Sequence, residues 1–409
     1  MAYQRKIQDE LMERAKRVVP GGVYGHAVVV PSKHPRFFAT GRGCRVQDVD
    51  GNEYIDLMCS YGPNLLGLQN ERVEEAAANQ RRLGNCFTGP TERWVELAEA
   101  LTERIAHADW AMFQKNGTDA TTLCMTVARA ATGRRKILLA EGAYHGAIPW
   151  CTPSDGGVLP EDRAHLLYYR YNDLESVRNA VREAGSDLAA ILVSPFRHDT
   201  FVDQELPTRE FAEGLRSLCD EHGAQLIMDE VRAGLRLARG GSWEHLGVDP
   251  DLSAWGKSLG NGYPISAVVG REHLRDAAAS IYSTGSFWYS AVPMAAALEC
   301  LRVVDEMDLP ARLEKVGQQL RDGLDELAAS HGFSLRQTGP PQMPLIFFED
   351  DADFRKGTFF AEDAITRGVY FHPYHNMFLS AAHTPEVIDE CLGLLDASFG
   401  SLRREVGDR

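Results

Sequence analysis

The sequence predicts an α/β protein built on a mostly parallel sheet, and three stretches carry that prediction. The apolar run Gln225-Leu226-Ile227-Met228 ends on the acidic pair Asp229-Glu230. A continuous apolar run closed by a polar residue reads as a strand buried on both faces, with its carboxylate at the C-terminal edge. From Glu92 onward, helical faces alternate with short apolar runs such as Lys136–Ala140 and Leu188–Val193. Trp110–Phe113 runs through Asn116-Gly117-Thr118 into a helical stretch from Thr121 to Ala131. Open α/β sheets bind ligands at the C-terminal ends of their strands, so Asp229 marks a candidate site.

Bulk properties narrow the class. A chain of 409 residues with 44% hydrophobic side chains has material for one large domain with smaller attachments. A net charge of -15 argues against nucleic acid and anionic membranes as partners, since both select basic patches. The eight cysteines form no CxxC pair, so neither a zinc site nor a disulfide framework is indicated. The first seventeen residues are charged throughout, unlike a secretory signal, and no apolar run reaches membrane-spanning length. A soluble, reduced, cytoplasmic protein is expected.

In chain order, Ile7, Leu11, Ala15 and Val18 share a helical face that stops at Pro20-Gly21-Gly22. The segment Val46–Asp56 alternates around Asp50-Gly51, a hairpin signal. The Asn116-Gly117-Thr118 turn offers an anion site, because the first amides of a helix have no intrahelical acceptor and the dipole favours negative charge. The strand Lys136–Ala140 leads into Tyr144-His145-Gly146, and Leu188–Val193 into Ser194-Pro195-Phe196-Arg197-His198. Twenty-eight residues beyond Asp229 stands Lys257, in the neutral stretch Trp255-Gly256-Lys257-Ser258-Leu259-Gly260. Desolvation there favours the neutral, nucleophilic amine, which can form a Schiff base with an aldehyde cofactor. A carboxylate at a neighbouring strand end suits the nitrogen of a pyridine ring. His372 and His375 have metal-like spacing, but no Cys, Asp or Glu cluster accompanies them, so no metal is expected.

Asp229-Glu230-Val231, Gly234-Leu235-Arg236, Pro250-Asp251-Leu252 and Gly256-Lys257 together closely resemble the signature of the class III aminotransferases. These are fold type I pyridoxal phosphate enzymes, and the glutamate-1-semialdehyde aminomutase-like branch is the nearest in pattern. The resemblance runs from Pro20-Gly21-Gly22 to the C-terminal region. It implies a mostly parallel seven-stranded sheet in a large domain over 57–297. An N-terminal helix and small antiparallel sheet (1–56) and a C-terminal α/β segment (298–409) would form the small domain.

The resemblance also implies roles. Lys257 would carry the cofactor and Asp229 would face its ring nitrogen. Asn116, Gly117 and Thr118 would hold the phosphate, with Asn116 and Asp119 replacing the family's serine and glutamate. Tyr144, followed by His145, would lie flat on the ring, and Val231 would close the opposite face. Ser286 would reach the phosphate of a neighbouring subunit, which implies a homodimer with active sites at the interface. Where many members have Glu-Pro, this chain has Ser194-Pro195. Where the aminomutase branch has a substrate arginine, it has Val28. Tyr61, Val28, Arg197 and Trp288 are the candidate substrate residues, Arg197 for a carboxylate. The expected activity is a ping-pong transfer of an amino group from a small-molecule donor to a carbonyl acceptor, on a hydrophobic, aromatic or β-amino substrate. Alternatives are a 2,1-aminomutase, or a racemase or decarboxylase using the same Lys257 and Asp229. A binding protein without catalysis would need neither residue.

Overall fold

The computed structural model describes residues 3–407. The chain divides into two units, one of which takes Glu71–Asp199 and Gln204–Pro310. Its centre is a seven-stranded sheet made of β1 (Trp110–Gln114), β2 (Lys136–Ala140), β3 (Leu166–Tyr169), β4 (Leu188–Val193), β5 (Gln225–Asp229), β6 (Leu252–Trp255) and β7 (Ser266–Gly270), in the order β1-β7-β6-β5-β4-β2-β3. Every pair is parallel except those made by β7, which runs against both β1 and β6. The continuous apolar runs follow from burial on both faces: all six residues of β4 and all five of β5 are buried.

The two faces bury against different helices. Ile137, Leu192, Ile227, Ala254 and Val268 pack under helix α1 (Gly117–Thr132) through Ala120, Leu123, Cys124 and Val127. Leu138, Ile191, Leu226 and Met228 pack on the other face against α2 (Leu174–Ala184) and α3 (Arg209–His222), through Val177, Phe211 and Leu215. Each such side chain contributes about 1.5–3 kcal/mol when taken from water. Since successive strand residues alternate faces, Asp229 shares the α1 side with Ile227. Strand alternation therefore turns the carboxylate toward the helix whose first turn is the predicted anion site.

The other unit comprises the chain up to Asn70, Thr200–Asp203 and everything from Ala311. Phe38–Arg42, Arg45–Asp48 and Glu53–Asp56 form an antiparallel meander, joined in parallel by Val369–Tyr370. Its turn is tied by the Asp48 carboxylate, which accepts from the N–H groups of Asp50 and Asn52 (2.9 Å each), while Gly51 takes φ +85°. The division falls later than the expected 56/57 and 297/298. Residues beyond Asp56 stay with the meander, since Leu57 N–H donates to Tyr370 O (2.9 Å) and Leu57 O accepts from Phe378 N–H (2.7 Å). Likewise the helix Ala291–Glu306 packs on Glu71–Leu83 within the sheet-bearing unit.

Candidate active site

Lys257, Asp229, His145, Val231 and Gly117 meet at the C-terminal edge of the sheet. Asp229 closes β5, and both of its oxygens are engaged: Oδ1 accepts the Val231 N–H (3.1 Å) and Oδ2 lies 2.7 Å from His145 Nδ1. With its proton on Nδ1 the imidazole donates to that oxygen, and the buried Nε2 has no hydrogen-bond partner. His145 is itself strapped to α1, because Thr121 Oγ1 donates to the His145 carbonyl at 2.9 Å.

The turn from Asn116 into α1 is tight on both sides. A Cβ on Gly117 would stand 2.5 Å from Val231 Cγ1, and one on Gly146 would stand 2.5 Å from Thr118 Oγ1. Asp119 holds the entry by accepting from the Asn116 N–H at 2.9 Å. Gly117→Ala is accordingly expected to push Val231 off its place, lowering stability by about 1–3 kcal/mol and loosening whatever rests on that valine. Thermal melting of the variant checks it.

Lys257 follows Gly256 in a left-handed conformation, φ +43°, which costs a non-glycine residue about 1 kcal/mol or more. The short helical turn it opens is pinned by Ser258 Oγ donating to Gly234 O at 2.7 Å. Burial pushes the Lys257 amine down to about 7, the charge of Arg232 pushes the same way, and Asp229 opposes them. The amine is thus substantially neutral near pH 7, as a nucleophile and proton acceptor must be.

Arg232 is a residue the sequence reading missed. It is buried, its Nη1 donates to His198 O (3.3 Å), and Asp229 and Asp199 balance its charge. The available signal was a cation inside the otherwise neutral Val231–Leu235 stretch, one place after the residue assigned to the ring face. Ser194 Oγ and His198 Nδ1 are also buried without partners, and burial holds the His198 imidazole well below its ordinary range.

Tyr144 is 43% exposed. Arg197 is already engaged: Nε pairs with Asp199 Oδ2 at 2.9 Å, Nη1 lies 4.0 Å from Glu205, and its backbone pairs with Glu205. Asp199 thus takes its Nε edge, while the side chain stays 36% exposed. Ser286 is exposed and Trp288 half-buried, in a segment where Lys115 Nζ sits 5.6 Å from the Phe287 ring. Val28 and Tyr61 belong to the other unit. Val28 is exposed. The Tyr61 ring lies 4.3 Å from His26 and 5.2 Å from His375, and its hydroxyl is buried without a partner. Cys59, Ser60 and Tyr61 are all left-handed, a strained run held by the Asp56 carboxylate, which accepts from Met58 N–H and Cys59 N–H. Among the described residues no group of three His, Cys, Asp or Glu is arranged for a metal. No helix among them is long and apolar enough to cross a membrane.

A neutral buried amine, a carboxylate fixed by two donors and a helix N-terminus hemmed by glycines are the donor set that pyridoxal phosphate requires. The fold agrees. A solved structure titled as the PLP internal aldimine form of Sphingopyxis sp. MTA144 FumI protein matches with TM-score 0.96 and 53% identity, covering 98% of this chain and 97% of that one. The molecule is a fold type I pyridoxal phosphate-dependent transferase. The Aminotransferase class-III profile matches residues 28–390, and the chain belongs to that family. It is 53% identical over 400 residues to the aminopentol aminotransferase of Sphingopyxis macrogoltabida (97% of this chain, 95% of the relative). It is 32% identical over 431 residues to the glutamate-1-semialdehyde 2,1-aminomutase of Persephonella marina (98% and 100%). The protein is a pyridoxal phosphate-dependent aminotransferase.

Proposed function

We propose that Lys257 Nζ holds the aldehyde carbon of pyridoxal phosphate, that Asp229 faces the pyridine nitrogen, and that Asn116, Gly117 and Thr118 seat the phosphate. Tyr144 and Val231 take the two faces of the ring. His145 fixes the Asp229 carboxylate by its 2.7 Å contact. The observation that carries this reading is the Lys257 amine, brought near neutrality by burial in the same recess as Asp229. The bound cofactor supplies an electron-withdrawing ring. With the cofactor bound, Lys257 Nζ would take the proton from the amine-bearing carbon of the substrate and later give it up again. A group with a pKa near 7 performs both transfers. Arg232 keeps that amine neutral by charge repulsion, while Asp229 holds the proton on the pyridine nitrogen.

The donor is an amine on a hydrophobic or hydroxylated carbon skeleton, and the acceptor is a carbonyl compound. The relative sharing 53% identity acts on aminopentol, and no arginine stands at the Val28 position where the aminomutase branch has one. A panel of amines given to the holoenzyme without acceptor, followed by loss of the cofactor's aldehyde-form absorbance, tests this. Response to hydrophobic or polyhydroxylated amines supports it, and glutamate 1-semialdehyde as the preferred substrate would sink it.

The assembly is a homodimer. Phe87, Tyr282, Phe287 and Tyr289 are exposed on two segments stitched by Ala291 N–H to Asn85 O (3.0 Å) and Val292 N–H to Asn85 Oδ1 (2.9 Å). Apolar side chains gathered in this way favour a partner surface. Ser286, on the same segment, then reaches the neighbour's phosphate. The eight cysteines are free, which fits a reducing, cytoplasmic setting.

In apo-protein, the rate of Lys257 labelling by an amine-reactive reagent is expected to rise through about pH 7. Arg232→Gln removes a positive neighbour, stabilises the ammonium and shifts that midpoint upward, so labelling at pH 7 slows. An unmoved midpoint would deny Arg232 this role.

A further inference from the structure

The ligand edge of the sheet carries a second polar pair that the reaction does not use. Gln114, the last residue of β1, and Ser266, the first of β7, stand opposite each other in the antiparallel register. They are 2% and 0% exposed. Gln114 Nε2, Gln114 Oε1 and Ser266 Oγ all lack a hydrogen-bond partner. A buried polar atom left unsatisfied costs about 1–3 kcal/mol, so three within one cross-strand pair call for a group that completes them. The rest of that face shows that apolar side chains suit the position, as Val268 and Ala254 fill it further along.

Location says which group. Gln114 lies two residues before Asn116. The point where a Cβ on Gly256 would sit is 3.6 Å from Ser266 Cβ and 3.7 Å from Gly117 Cα. The pair therefore adjoins the first turn of α1, next to the residue that precedes Lys257. A phosphate only accepts hydrogen bonds, and placed directly here it would face Gln114 Oε1 oxygen to oxygen. A water molecule accepts from Nε2–H or Oγ–H, donates to Oε1, and keeps one O–H for a further acceptor. We infer that Gln114 and Ser266 hold a buried water that donates onward to the cofactor's phosphate, making both residues positioning groups for the cofactor. The inference rests on the reading that Asn116–Thr118 seats that phosphate.

Comparing pyridoxal 5′-phosphate with pyridoxal isolates the phosphate. Dissociation constants of both, measured on apo-protein by tryptophan fluorescence, should show a strong preference for the phosphorylated form in the wild type. Gln114→Leu and Ser266→Ala should each weaken pyridoxal 5′-phosphate about tenfold and leave pyridoxal within about twofold. Ser266→Ala deletes one oxygen, and its melting temperature should match the wild type, so a lost preference there cannot be put down to misfolding. Gln114→Leu/Ser266→Ala removes every orphaned atom, and its apo form should melt no lower than the wild type. Equal weakening of both ligands, or an undiminished preference in the variants, overturns the water bridge alone. A wild type without preference for the phosphorylated form overturns the phosphate seat, and the bridge with it.

Discussion

Lys257→Ala should abolish amino transfer, lowering kcat by at least about 10³-fold, because one substitution removes both the cofactor's point of attachment and the group that moves the proton. The fold should survive. The wild-type amine is held near pH 7, against 10.5 for a free lysine, mainly by burial. The folded state thus binds fewer protons than the unfolded chain between those values. By linkage, the wild-type apo-protein loses stability as pH falls from about 10.5 through 7. Alanine has no such proton to lose, so the variant's stability should be flatter across that window, and denaturant melts at pH 7 and pH 9 would show it. A variant that transfers amino groups normally would remove Lys257 from the reaction.

Asp229→Asn should be nearly as damaging, with kcat reduced about 10²–10⁴-fold, while cofactor remains bound. The carboxylate has two donors aimed at it, the Val231 N–H and His145 Nδ1. An amide presents one acceptor and one NH₂, so one of those donors meets another donor, and the negative charge opposite the ring nitrogen is lost. Steady-state rates alongside the absorbance of bound cofactor separate the lost charge from a lost cofactor. Near-normal kcat with cofactor bound would mean that the ring nitrogen needs no carboxylate.

Asp229 and Lys257, the pair proposed for catalysis, were legible because burial and chemistry leave marks in neighbouring residues. β5 reads as an unbroken apolar run because both its faces are covered, and Asp229 stands out as the residue that ends it. Lys257 stands out because its neighbours are small and neutral. Arg232 also stands alone in a neutral stretch, but nothing in an arginine announces that Asp229 and Asp199, the latter some thirty residues earlier, will balance it inside the protein. The acid beside Arg197 was in plain sight in the sequence: Asp199 stands two residues along, on the same side of a bridging segment, with an oxygen 2.9 Å from Nε. The joint after residue 56 was hidden because the residues that hold Leu57, Tyr370 and Phe378, come more than three hundred positions later. Gln114 and Ser266 read as ordinary strand ends, and only their register and missing partners set them apart.

Borohydride reduction of the holoenzyme, followed by peptide mapping, tests the central claim most directly. The cofactor should be found fixed to the ε-nitrogen of Lys257, on the peptide that contains Trp255-Gly256-Lys257-Ser258. Label on another lysine, or none on a protein that has bound the cofactor, would contradict the assignment on which every step above depends.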